Sequence, residues 1–145
     1  MILPDANLLI YAVNEDAALH RKARAWLEAA LSGPETLGFA WNVLLAFLRI
    51  TTRPGLFRNS LSQQQAFEII AAWLEQPTAA VVQPGPRHLA IMRGLLEPLG
   101  TGGNLTSDAH LAAIAMEHGA ELCSSDADFA RFGGLKWRNP LASVH

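Results

Sequence analysis

The sequence predicts an α/β fold: a three-layer α/β/α sandwich around a central parallel sheet of four to five strands. Three observations carry this. Short apolar runs alternate with longer stretches of helical period along the whole chain. Successive strand candidates are separated by helices of ten or more residues, which requires parallel pairing through crossovers. At 145 residues the chain, expected to form one domain over 1–145, is long enough to bury a substantial core without disulfides or structural metal.

Ile2-Leu3-Pro4-Asp5 reads as a short buried strand that stops at an acid. Leu19, Ala23, Trp26, Leu27, Ala30 and Leu31 recur at helical steps, giving one apolar face broken at Gly33-Pro34. Thr36 to Trp41 is the second strand, and Asn42 suits the N-cap of a helix reaching about Ile50 that is apolar on most faces. Ser62 and Gln65 have capping-box spacing and open a helix carrying Ile69, Ile70, Trp73 and Leu74, closed by Pro77. Ala79 to Gln83 is the third strand. Pro86 marks the start of a helix that Pro98-Leu99-Gly100 ends. After the glycine-rich loop Gly100 to Asn104, a helix runs from about Ser107 to His118 and stops at Gly119. Glu121 to Ser124 is the fourth strand, a short helix covers Asp126 to Phe132, and Leu135 to Trp137 is a fifth strand.

Composition narrows the function. Half of the residues are hydrophobic and 17% are charged, the profile of a globular domain. Cys123 stands alone, so no intramolecular disulfide forms within a chain. The longest apolar stretch, Phe39 to Leu48, is about half of the ~20 residues a membrane span requires. The N-terminus lacks the basic region of a signal peptide, and the expected address is cytoplasmic. A net charge of −2 excludes nucleic-acid binding by bulk electrostatics. Any nucleic acid would be held locally, with Arg49, Arg53 and Arg58 offering either a small basic rim or a solvated face.

Ligands of open parallel sheets bind outside the carboxyl ends of the strands. Asp5 follows the first strand and Asp126 the fourth, so both carboxylates emerge on one edge. Asp108 lies in the first turn of the helix after the glycine-rich loop, and Asp128 is two residues past Asp126. Gathered carboxylates repel one another unless a cation sits between them. The histidines, at 20, 88, 110, 118 and 145, show no zinc spacing, whereas acids suit a hard ion such as Mg²⁺. An ion of that kind polarises a phosphoryl oxygen and activates water, which points to phosphoester chemistry. Structural readings compete. Asp108 suits the helix dipole, and Asp126 and Asp128 suit caps. Asp5, directly after a buried strand, is expected to have few structural duties. Trp26 and Trp73 lie on apolar stripes and read as core, and Trp41 reads as packing rather than as a base-stacking platform.

Four ordered blocks extend this pattern: Asp5-Ala6-Asn7-Leu8-Leu9-Ile10, Trp41 to Arg49 followed by Thr51-Thr52, Asp108-Ala109-His110-Leu111-Ala112, and Ser124-Ser125-Asp126-Ala127-Asp128-Phe129. Together with Arg131, Phe132, Gly134 and Leu135 before Asn139-Pro140, they resemble a PIN domain of the VapC toxin type over essentially the whole chain. The resemblance implies an Mg²⁺- or Mn²⁺-dependent endoribonuclease that hydrolyses RNA with metal-activated water. It also implies a homodimer and inhibition by a cognate VapB-like antitoxin. Asp5, Asp108 and Asp126 match the family's metal-binding acids, and Asp128 a frequent additional acid. Asn7 matches a polar position beside the first acid, and Ser124 a small hydroxyl position before the last. Arg49 and Arg53 are candidates for phosphate contacts. One departure stands out: where many PIN domains carry a glutamate before Phe-Leu-Arg, this chain has Ala46. That leaves one expected carboxylate missing and raises weaker binding of a second ion. Glu117, nine residues beyond Asp108, is two and a half helical turns away and does not replace it.

Two other classes remain open at this level. A phosphatase of the haloacid dehalogenase type also begins from an aspartate after strand one, but carries a second aspartate where this chain has Asn7. A catalytically weakened PIN module, acting by RNA or protein binding, is the non-enzymatic alternative.

Overall fold

The computed structural model describes residues 1–100 and 102–142. Thr101 in the glycine-rich loop and His145 among the scattered histidines lie outside the described residues. The elements, in chain order, are β1 (Ile2–Pro4), α1 (Ala6–Val13), α2 (His20–Ser32), β2 (Leu37–Ala40), α3 (Trp41–Thr51), α4 (Gln63–Leu74), β3 (Ala79–Val82), α5 (His88–Leu96), α6 (Thr106–Glu117), β4 (Glu121–Cys123) and β5 (Trp137–Arg138). Short 3₁₀ turns cover Glu97–Leu99, Gly103–Leu105 and Ala127–Arg131. Among the described residues five strands, all parallel, pair in the order β3-β2-β1-β4-β5 within an α/β/α sandwich. The chain therefore moves outward from the central β1 to β2 and β3, then returns to add β4 and β5 on the other side. The reversal falls between β1 and β4, where such sheets open a crevice at their carboxyl edge.

Packing explains how the walls of that crevice are held. Phe39 of β2 stacks on Trp73 of α4 at a centroid distance of 6.0 Å, and Phe47 of α3 meets the same ring edge-on at 4.9 Å. All three rings are buried, so α3 and α4 are fastened to the β2 side of the sheet. On the β4 side, Ala109, Ala112, Ala113 and Ala115 of α6 are fully buried. These small side chains let α6 sit close among its neighbours while Leu111 and Ile114 fill the remaining space.

Several local expectations are corrected. The sequence pattern assigns no element to 6–13, where α1 lies with Leu8, Leu9 and Ile10 all buried. Asn42 does not cap α3. The helix begins two residues earlier than a cap at Asn42 would place it, directly off β2, and Ala40 occupies the cap position without a side-chain bond. Pro86 lies before the cap of α5, which is Arg87. Trp41 is 48% exposed rather than packed, whereas Trp73 is buried and Trp26 partly so. Ser62 and Gln65 form the capping box at α4. Among the described residues, no helix is long and apolar enough to cross a membrane.

Candidate active site

The two strands flanking the reversal bring residues 119 positions apart into contact. Pro4 pairs with Cys123, and the Asp5 N–H donates to the Cys123 carbonyl at 2.8 Å, so Asp5 and Ser124 leave the sheet side by side. Asp5 does have a structural duty, contrary to the expectation above: it is the N-cap of α1, its Oδ1 accepting from the Ala6 N–H at 2.8 Å. Its Oδ2 accepts from the Ser124 hydroxyl, also at 2.8 Å. Ser124 is wholly buried, and its Oγ accepts in turn from Asn7 Nδ2 at 3.1 Å and from the Asp126 N–H at 3.0 Å. The Ser125 N–H donates to Asn7 Oδ1 at 3.4 Å. One hydroxyl thus ties the acid after β1 to the acid after β4, and Asn7 braces both.

Replacing Ser124 by Ala leaves a carboxylate oxygen, an amide and a backbone N–H without this partner. The expected loss is about 1–3 kcal/mol of stability, read by urea unfolding.

Asp126 caps the 3₁₀ turn through an Oδ1 bond from the Asp128 N–H at 2.9 Å, and Asp128 approaches Arg131 at 3.9 Å. A carboxylate oxygen from each of Asp108, Asp126 and Asp128 lies within 4.8 Å of the others. Asp5 is outside that triplet but close enough to feel it. Burial holds its pKa above the usual carboxylate value; the Ser124 and Ala6 bonds oppose the rise, and Asp126 adds to it. The Asp108 carboxyl is pushed up to about 6, first by burial and then by Asp126, Asp5 and Asp128. Neighbouring carboxylates thus add to the burial-driven rise at Asp5 and Asp108, and the all-oxygen donor set of the four acids suits a hard divalent cation.

The shift has a definite sign. Asp108 binds its proton more tightly folded than unfolded, so its contribution to metal-free stability is full below the unfolded value near 3.8 and is lost as pH rises through about 6. A cation must displace that proton. Divalent-cation affinity is therefore expected to fall as pH drops below about 6, with proton release on binding. Calorimetry at pH values either side of 6, in buffers of different ionisation enthalpy, checks this; an affinity independent of pH would contradict it.

A cleft of about 320 Å³ opens beside the acids. Asp5 and Asp108 contribute to its lining, as do Asn42, Leu45, Ala46 and Arg49 of α3. Arg53 does not line it: it lies beyond the end of α3, exposed, with its carbonyl accepting from Ser60 Oγ at 3.0 Å. Glu117 is at the far end of α6, where its carboxylate accepts from the backbone N–H groups of Gly85 and Arg87 at 2.7 and 2.9 Å. Asn42, a cap candidate by sequence, is instead a cleft residue. The signal available for it was its spacing of four and seven residues from Ala46 and Arg49, one helical face.

The family model for the PIN domain matches residues 2–135. The chain belongs to the PIN domain family. Among its relatives, Ribonuclease VapC37 of Mycobacterium tuberculosis is 47% identical over 142 residues, covering 98% of this chain and 99% of the relative. Ribonuclease VapC33 of the same species is 45% identical over 141 residues, covering 97% and 99%. In solved structures the same fold recurs in VapBC2 from Rickettsia felis bound to a promoter DNA fragment, with a TM-score of 0.71 at 19% identity, covering 96% of this chain and 98% of that one. It recurs too in M. tuberculosis VapC20, described as a sarcin-ricin loop cleaving toxin, with a TM-score of 0.64 at 18% identity, covering 94% and 99%. In this PIN domain, the position expected to hold a glutamate is Ala46, which lines the cleft. The departure therefore lies at the site itself.

Proposed function

We propose that this PIN domain is an endoribonuclease dependent on Mg²⁺ or Mn²⁺, the toxin of a toxin–antitoxin pair, acting in the cytoplasm. The observation that carries the reading is the convergence of Asp108, Asp126 and Asp128 within 4.8 Å, with Asp5 held beside them by Ser124. The ribonuclease names of relatives that match almost end to end support RNA as the substrate.

Asp5, Asp108 and Asp126 would hold the cation. Bound there, a divalent ion supplies Lewis acidity at a phosphoryl oxygen and lowers the pKa of water. Ser124 and Asn7 fix the direction of the Asp5 carboxylate, so that its oxygens are set before the ion or the RNA arrives. Asp128, the more exposed acid, orients the attacking water. Arg49 contacts a phosphate in the cleft and offsets its charge, while Arg53, outside the cleft, serves only phosphates farther along the RNA. A VapB-like antitoxin and a second copy of the chain are the proposed partners, supported by likeness of fold to toxins solved in VapBC complexes.

Ala46 favours a second reading, a PIN module that binds RNA without cutting it. Incubation of labelled single-stranded RNA with the purified protein separates the two. The nuclease reading expects cleavage in Mg²⁺, its loss in EDTA and its absence from Asp5→Asn; RNA binding without any cleavage in Mg²⁺ or Mn²⁺ supports the second.

A further inference from the structure

We infer that Asn42 and Arg49 seat a phosphate of the RNA against α3, and that Ala46 is what opens this wall of the cleft to an anion. The inference rests on the nuclease reading and divides the cleft: the acids borne by β1, β4 and α6 take the cation, and α3 takes the phosphate.

Asn42 has no capping role to account for it, because α3 starts from Ala40 without a side-chain cap. Its Oδ1 is shut away from solvent and, among the described residues, has no hydrogen-bond partner. A buried acceptor left unpaired destabilises the folded chain. Leucine would fill the same volume without that penalty. The amide's other edge is an NH₂ group, which only donates, and Asn42 lines the cleft. A non-bridging phosphate oxygen is the acceptor that an RNA brings into such a cleft, and bonds to a charged acceptor are the stronger ones.

Arg49 stands on the same face of α3 and lines the same cleft. Among the described residues it makes no ion pair, so its guanidinium is available to a second phosphate oxygen. Ala46 lies between the two donors. A carboxylate there would face the phosphate with like charge and draw Arg49 to itself. The alanine removes both effects, so the missing acid changes what the wall binds.

Asn42→Leu and Ala46→Glu test this with three readouts besides cleavage. They are thermal melting, Mn²⁺ affinity by electron paramagnetic resonance, and anisotropy of a short fluorescein-labelled RNA in Ca²⁺. Asn42→Leu is expected to weaken RNA binding about tenfold, with unchanged Mn²⁺ affinity and a melting temperature equal to or above wild type. Ala46→Glu is expected to weaken RNA binding while tightening Mn²⁺. Wild-type RNA affinity in Asn42→Leu would overturn the inference, as would a matching loss of Mn²⁺ affinity, which would make Asn42 part of the cation site. If Asn42→Leu melts low, Ala46→Glu decides: undiminished RNA affinity in that variant overturns the inference. Wild-type protein that neither binds nor cleaves RNA would overturn the nuclease reading as well.

Discussion

Asp126→Asn is expected to lower RNA cleavage by more than about 100-fold, since even residues that only support a metal ligand cost 10–100-fold when changed. The same substitution is expected to raise the melting temperature of chelator-treated protein at neutral pH. Asn keeps the oxygen that accepts from the Asp128 N–H, so the 3₁₀ cap survives. What disappears is a charge that adds to the rise burial imposes on Asp5 and Asp108. Removing it relieves repulsion in the metal-free cleft, and the Asp108 titration should move down from about 6. Opposite signs on activity and stability distinguish a functional carboxylate from a structural one. Cleavage assays beside thermal melts in EDTA provide the check; a fall in both would mark Asp126 as structural.

Phe47→Ala is expected to cost about 3–5 kcal/mol in urea unfolding, the range for truncating a fully buried aromatic. Phe47 is wholly buried and meets Trp73 edge-on at 4.9 Å, so the change removes both filled volume and the contact joining α3 to α4. Because α3 also carries Asn42, Ala46 and Arg49 to the cleft, loosening it should reduce RNA affinity in the fraction that stays folded. Leu45→Ala, at a side chain on the same helix that is 56% exposed, should cost far less. A similar loss at both positions would show that the packing against Trp73 does not set the stability of this wall.

The sheet was legible because parallel strands write themselves as short apolar runs between helical periods, and the acids because each stands at the carboxyl end of a run or the start of a helix. The structure brings Asp108, Asp126 and Asp128 together, with Asp5 beside them. What sequence did not show depends on register and burial. The Ser124 bridge exists because Pro4 lies opposite Cys123, a pairing that no local pattern encodes. Helix α1 was hidden because a helix buried around Leu8, Leu9 and Ile10 loses its stripe. Arg49 and Arg53 are four residues apart and look like one face, yet α3 ends at Thr51 and leaves Arg53 outside the cleft. Asn42 carries every propensity of a cap, but β2 runs straight into α3 and Ala40 takes the cap position.

The proposed nuclease depends on one divalent cation shared by acids from three separate stretches of chain. Mn²⁺ titration followed by electron paramagnetic resonance, on wild type and on Asp108→Asn, tests this most directly. Saturable binding to the wild-type protein at neutral pH is expected, with severe weakening in the variant. Undiminished binding to Asp108→Asn, or no specific binding to a wild-type protein that still cleaves RNA in EDTA, would contradict it.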